Sequence, residues 1–421
     1  MQDLRNNQVS WLLIWGVALS LGIGLSGCGG GPDKSMNNSV DEPRMTSAAP
    51  ASFVISDSDL EERGFASHWV ATPAQGSGIE NAWFLGQDIY RERRGEGGRY
   101  FLEKIDGETG RLSWSFSLEG KLEHRPEVYR YSKELQSSRD SEIFFVQHVD
   151  DAGEFIFCLD DTYGAENYRI DCGFPVSTPV TAAQDHIFVG SWNYRMYAIN
   201  KSTKLEESSY ITEAPITAPA EAGGLNVYVG GEDNIVYSLN QGAAYVPDSS
   251  WRRATGGKIV SQPLFYNGRL YVSSWDYKVY CLEEYQGITR WGASLGAPVR
   301  QRPFAFSDWI FAVTESEPLG GARDRKFNLV ALDQGSGQIR WENDDVTRVL
   351  GADNFHCYAI DGDKMIHALR LDDGVEAWSI DVSKWDHVLG QDADKGAARE
   401  RLGRIYLVSR SGTMQCIRPR R

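Results

Sequence analysis

The residues of this chain that could do chemistry are few and scattered. Carboxylates such as Asp324, Asp333 and Glu342 are available as metal ligands or general bases, but acids in loops and turns are ordinarily solvated surface. His356 and Cys357 adjoin as a potential metal-binding pair, yet no second pair stands at ligand spacing, so they read as an exposed His beside a core Cys. The run GEGG at 95–98 is rich in glycine without a following helix, which makes it a loop rather than a phosphate cradle. No catalytic residue, cofactor site or metal site is assigned. The segment EPLGGARDRKFN (317–328) carries Arg323, Asp324, Arg325 and Lys326, a local cluster of charge in a lengthened loop. Loops of this kind carry recognition more often than chemistry, so these four residues are the candidate partner contact.

Six cysteines need placing, and none forms a C-x-x-C pair. Cys28 stands apart. It follows an uncharged apolar run, Trp11 to Leu25, that is too short for a comfortable membrane span, and it is preceded by the small residues Ser26 and Gly27 that a signal peptidase requires. Cys158 in FIFCLD, Cys281 in VYCLEE and Cys416 in MQCIRP occupy one repeat position, where other copies carry Ala198 and Ser238. They are expected to be small buried core residues. Cys172 and Cys357 have no assignment, and a disulfide between them stays open.

The elements that position these residues emerge when the chain is aligned against itself. HIFVGSWNYRMYAIN (186–200), NVYVGGEDNIVYSLN (226–240) and RLYVSSWDYKVYCLE (269–283) are each a strand, a tight turn and a strand. Their alternation has period two, and Asn193, Asp233 with Asn234, and Asp276 are types that tolerate hairpin turns. Pro179, Pro219, Pro263 and Pro303 recur at spacings of 40, 44 and 40 residues, as expected for the first residue of a strand, where no ladder donor is needed. A turn then leads to Trp in DGETGRLSW (Trp114), EYQGITRW (Trp291), DQGSGQIRW (Trp341) and DDGVEAW (Trp378). Gly110, Gly287, Gly337 and Gly374 are expected to supply the positive φ of those turns.

Three markers repeating in phase over about forty residues define an all-β chain: a β-propeller of four-stranded blades. The copies fall near 80–120, 121–173, 174–214, 215–257, 258–296, 297–345, 346–383 and 384–421, favouring eight blades over seven. The last copy has GRIYLVSRSGTMQCI (403–417) but no Trp-bearing strand after it. The segment Ser67-His68-Trp69-Val70 is the expected donor, so that an N-terminal strand closes the ring and removes its exposed edges. Composition agrees: 13 Trp, 19 Tyr and 43 Gly in 421 residues suit short strands and tight turns. A net charge of −15 argues against a nucleic-acid surface, because phosphate binding needs Lys and Arg.

Leu25-Ser26-Gly27-Cys28 resembles the lipobox of bacterial lipoproteins, which implies a signal peptide over 1–27, lipid attachment at Cys28 and an anchored mature chain. An ordinary signal peptide with an incidental Cys, or a signal anchor, are the alternatives. Only Arg5, beside Asp3, supplies positive charge to the leader. Gly29 after the Cys resembles the lipoproteins sorted to the outer membrane, in a bacterium that has one. Residues 28–52 read as a disordered tether reaching roughly 25–30 Å, and 53–421 as the propeller domain.

The hairpins, TG-type turns and Trp-ended strands resemble the PQQ-like propeller repeat, and together with the lipobox they resemble the BamB family of outer-membrane protein assembly factors. That resemblance implies a non-enzymatic, lipid-anchored scaffold facing the periplasm, with envelope proteins and the outer-membrane barrel assembly complex as partners. The alternatives are a propeller binding an envelope ligand or polysaccharide, and a quinone (PQQ)-dependent dehydrogenase. The dehydrogenases of this repeat carry adjacent cysteines, and often a C-x-x-C-H haem motif, neither of which occurs here.

Overall fold

A computed structural model describes residues 53–72, 78–131, 141–241, 250–316, 326–391 and 402–420. Cys28, the leader and the tether lie outside the described residues, as do Arg323, Asp324 and Arg325. Eight antiparallel four-stranded sheets form the ring of a β-propeller. Blades 1 to 7 are continuous in sequence, spanning 78–118, 127–171, 181–211, 221–254, 264–294, 304–344 and 346–381. Blade 8 takes three strands from its end of the chain, His387–Leu389, Ile405–Val408 and Met414–Pro419, and its outer strand, Phe65–Ala71, from the other. The closing strand is therefore the one expected around Trp69, pairing from Phe65 opposite Pro419 to Ala71 opposite Met414.

Packing follows directly from the repeat. In each blade the third strand places one residue opposite a residue of the outer strand, immediately before a β-bulge or at the ladder's end. In six blades a small residue faces an aromatic one: Cys158 with Tyr168, Ser238 with Trp251, Cys281 with Trp291, Ala331 with Trp341, Ala368 with Trp378 and Cys416 with Trp69. Directly opposed side chains share one face of the sheet, so in these six blades a bulky ring packs over a small residue, whereas blade 1 sets Lys104 opposite Trp114 and blade 3 sets Ala198 opposite Ser208. Cys158, Cys281 and Cys416 are wholly buried for this reason. Cys172 and Cys357 are also free thiols, and they sit in different core clusters, which answers the open disulfide in the negative.

Each tryptophan reaches forward to the next blade rather than back to its own turn. The ring of Trp69 lies over Gly110, Trp114 over Gly164, Trp251 over Gly287, Trp291 over Gly337 and Trp341 over Gly374. A Cβ at Gly110 would stand 2.6 Å from Trp69, and its φ of +70° is a second reason for glycine. The indole N–H groups donate to carbonyls of the same turns, as from Trp114 to Asp161 at 2.8 Å and from Trp341 to Leu371 at 2.7 Å. Trp378 has no such turn ahead of it and packs edge-on against Phe65 of the closing strand at 5.0 Å.

The proline markers precede the inner strands Thr181–Ala182, Glu221–Gly223, Leu264–Tyr266 and Phe304–Phe306, as expected. The hairpin turns need a correction. The left-handed residue is Asn234 in blade 4, but Tyr194 and Tyr277 in blades 3 and 5, with φ of 68° and 70°. Asn193 and Asp276 stand one residue earlier and bond a tyrosine four residues on: Asn193 Nδ2 donates to the Tyr197 hydroxyl at 2.8 Å, and the Tyr280 hydroxyl donates to Asp276 at 2.5 Å.

Candidate functional site

The connectivity of a blade sorts its loops onto two faces. Turns joining the first strand to the second and the third to the fourth share one face. Turns joining the second to the third share the other with the connections between blades. Ser316 and Lys326, the facing ends of the second and third strands of blade 6 (Trp309–Ser316 and Lys326–Asp333), lie on the second face. Of the four candidate contact residues, Lys326 alone is described; it is exposed and opens the third strand. The same face carries aromatic turn tips that the sequence treated only as hairpins. Trp192 and Tyr194 in blade 3 are 55 % and 48 % exposed, and Trp275 and Tyr277 in blade 5 are 36 % and 49 % exposed. The Arg300 guanidinium lies 4.3 Å over the Trp275 ring.

Of the three acids weighed for a quinone enzyme, Asp333 and Glu342 have structural partners. Asp333 Oδ1 accepts from the Ser336 backbone N–H and hydroxyl at 2.8 and 2.7 Å, and Oδ2 meets Arg340 at 2.5 Å. These bonds, Arg340 foremost, hold its carboxyl down at about 2. Glu342 accepts from Asn328 at 2.7 Å. Asp324 lies outside the described residues. Cys357 is wholly buried in an apolar cluster while His356 is half-buried, 3.8 Å from Asp353, so the pair shares no pocket. Residues 96–98 of the glycine-rich run form one tight turn within a hairpin. Among the described residues, no group of three or more His, Cys, Asp or Glu could hold a metal ion.

At the axis, residues entering the inner strands meet across the ring. Arg125 of the connection into blade 2 donates to Gln262, before the inner strand of blade 5, at 2.7 Å. Gln262 in turn donates to Glu221 at 2.9 Å, and Arg302 approaches the same carboxylate at 3.2 Å. This network borders a cavity of about 410 Å³ narrowed by small residues such as Ala182, Ala222 and Gly223. A second cavity of about 960 Å³ lies at the closure seam, lined by Glu108, Phe355, Arg404 and Arg418 among others.

Buried charge is concentrated between neighbouring blades. Lys104 Nζ donates to Asp161 Oδ2 at 2.8 Å and to its carbonyl at 3.0 Å, while the Tyr90 hydroxyl donates to Oδ1 at 2.5 Å. Burial and then the Asp161 charge drive the Tyr90 phenol far above its ordinary range. One blade on, Lys201 stands 3.7 Å from buried Glu142 and 3.9 Å over the Tyr129 ring. Burial pulls this ammonium down to about 8, with Glu142 opposing.

The thiols give a pH prediction. Burial pushes Cys158, Cys172 and Cys416 up to about 12 and Cys281 to about 11, with Cys357 shifted the same way. Each folded value lies above the ordinary 9.0, so this stabilisation is complete below pH 9 and is lost as pH rises toward the folded values. Lys201 acts oppositely, because an unfolded lysine binds its proton up to 10.5 while the folded one releases it near 8; one group then opposes five. The unfolding free energy measured in guanidinium is expected to fall between about pH 8 and about pH 10 by about 1 kcal/mol per thiol, and the midpoint to fall with it. An unchanged or rising midpoint would show that the thiols ionise within the fold.

Eight four-stranded blades, Trp-on-turn packing between them and a ring closed by an N-terminal strand define an eight-bladed β-propeller. Within that class the chain resembles the BamB family. The family model for outer membrane protein assembly factor BamB matches residues 232–421. A curated relative, outer membrane protein assembly factor BamB of Yersinia pestis, is 24 % identical over 218 residues, which make up 39 % of this chain. The match spans about half of that relative's length, 53 %. In fold, the chain is similar to the crystal structure of BamB from Moraxella catarrhalis, with a TM-score of 0.58 at 14 % identity, covering 83 % of this chain and all of that one. It is also similar to the computationally designed Ika8 protein, with a TM-score of 0.56 at 11 % identity, covering 83 % of this chain and 99 % of that one.

Proposed function

We propose that this chain is a non-enzymatic, lipid-anchored propeller that scaffolds protein assembly at the outer membrane. The observation that carries the reading is the BamB-like eight-bladed ring, in which Asp333 is bound into its own turn and Asp161 into an inter-blade contact. A rigid ring with loops on two faces suits binding rather than turnover. Cys28 is the proposed lipid attachment point, and Arg323 to Lys326 the proposed partner loop. Anchoring confines the ring near envelope partners, so weak loop contacts suffice through effective concentration.

The test is crosslinking in intact cells followed by purification and mass spectrometry. The barrel insertase of the outer membrane is expected among the products. Cys28→Ala is expected to move the protein from the membrane fraction to the soluble envelope fraction and to deplete those products. Recovery of other envelope proteins with consistent absence of the insertase would overturn the assembly role. Retention of the Cys28→Ala protein in membranes would overturn the anchor.

A further inference from the structure

Positive charge collects without partners where blade 7 meets blade 8. Among the described residues, the buried Lys and Arg side chains are paired: Arg91 with Glu103 at 2.8 Å, Lys104 with Asp161 at 2.8 Å, Lys201 with Glu142 at 3.7 Å and Arg404 with Glu108 at 2.8 Å. Three cations between blades 7 and 8 differ. Lys364 follows the second strand of blade 7, Arg410 follows the second strand of blade 8, and Arg348 lies near the start of blade 7's inner strand, so all three stand toward the second face. They converge on residues 385–388, at the entry to blade 8. Lys364 Nζ donates to the Trp385 carbonyl at 2.7 Å, the Arg410 backbone N–H to Asp386 at 2.5 Å, and Arg348 Nη2 to the Val388 carbonyl at 2.6 Å. Among the described residues, none of the three side chains is in an ion pair.

His387, in the middle of these contacts, registers the imbalance. Burial foremost holds its imidazole below the ordinary range; Asp386 opposes, while Lys364, Arg410 and Arg348 each push the same way as burial. Three positive charges less one negative leave a surplus of two, in a chain whose net charge is −15. Like charges held together repel and cost stability unless an anion joins them. Donor capacity is unspent as well: Lys364 has used one of its three ammonium donors and Arg348 one of its five guanidinium donors. A carboxylate brings a single charge and one plane of acceptors, which one guanidinium satisfies. A phosphomonoester brings a charge of about −2 at neutral pH and three acceptor oxygens in a tetrahedral array, which suits a surplus of two and donors arriving from three elements.

We infer that Arg348, Lys364, Arg410 and His387 form a binding site for a phosphomonoester dianion between blades 7 and 8. The site stands on these residues alone and is independent of the assembly role. Calorimetric titration of the full chain with glycerol 3-phosphate tests it, and phosphatidylcholine vesicles carrying phosphatidic acid present the same group on a lipid surface. Binding with a Kd of about 1 mM or tighter is expected for at least one of these probes, and acetate should bind at least about tenfold more weakly. Binding to the vesicles alone assigns the phosphate to a lipid headgroup, and binding to glycerol 3-phosphate alone assigns it to a soluble ester. Arg410→Gln and Lys364→Asn are each expected to weaken binding about tenfold. Arg410 is exposed, so its replacement should keep the native Tm, and Asn tolerates the left-handed φ of 61° at position 364. In the unaltered protein, NMR of labelled histidine should show His387 titrating at higher pH with the bound phosphate probe than without it. Failure of both probes to bind at up to about 10 mM overturns the proposal. So does acetate binding as tight as that of the phosphate, unchanged affinity in Arg410→Gln with native Tm, or a His387 titration that the bound probe leaves unmoved.

Discussion

A chain shortened to begin at Gly78 is expected to lose ring closure, melt well below the full chain and self-associate. The shortened chain lacks Phe65, 2 % exposed and set between Tyr358 and Trp378 at 5.4 and 5.0 Å. It lacks Trp69, which covers Gly110 and donates to the Gly107 carbonyl at 3.2 Å. The preceding segment is lost with them: buried Leu60, the paired bonds between Ile55 and Gln415 at 3.0 and 2.9 Å, and the Arg63 bond to the Ser379 carbonyl at 2.9 Å. Burial of Phe65, Trp69 and Leu60 alone stabilises the fold by on the order of 5 kcal/mol, a large share of the net stability of a domain. The uncovered strand Met414–Pro419 would present a row of unpaired backbone groups, which recruit another chain. Scanning calorimetry should show a broader, lower transition, and light scattering a mass that rises with concentration. A peptide spanning 53–72 should restore both. A monomeric shortened chain with the original Tm would show that blade 8 is complete without its borrowed strand.

Closure was legible because three markers repeat in phase and the last copy lacks one of them. What the pattern concealed is contact between blades. The Trp-bearing turns read as local units, yet the indoles of Trp69, Trp114, Trp251, Trp291 and Trp341 each serve the glycine turn of the following blade, a relation with no short-range signature. Trp251 does not fit the spacing of the series because it stands eleven residues after Asn240, the end of the third strand, in place of the shorter spacing in the other copies. Asn193 and Asp276 looked like turn residues by type, whereas their side chains brace a tyrosine four positions on, and the strain falls on Tyr194 and Tyr277. The face of the proposed partner loop was legible only at Lys326 and its neighbours. Its aromatic tips were in view within the aligned hairpins, and the usable signal was a tyrosine standing where a related copy has asparagine.

The repeat also marks the position where an aspartate should matter most. Lys104 occupies the site opposite the outer-strand aromatic that other blades fill with Cys, Ala or Ser, and it is 9 % exposed. A buried ammonium needs a paired anion. Asp161, 1 % exposed, supplies one while also accepting from Tyr90 and from Ser141 at 2.9 Å; Asp88, at 3.3 Å, is more distant. Asp161→Ala is therefore expected to destabilise the protein by about 3–5 kcal/mol, because it leaves Lys104 charged and two hydroxyls without their acceptor. The repeat's own solution should relieve most of this. Blade 7 carries Leu371 at the position equivalent to Asp161, so Lys104→Ala with Asp161→Leu restores a small residue opposite Trp114 and removes both charges. Urea unfolding of Lys104→Ala, Asp161→Leu and the double variant then closes a cycle with a coupling of about 2 kcal/mol or more. A cost under about 1 kcal/mol for Asp161→Ala would mean that Asp88 alone neutralises Lys104. If the double variant is worse than the sum of the single ones, the charge pair is not what binds blade 1 to blade 2, and the Trp114 contact on Gly164 is left to hold that seam.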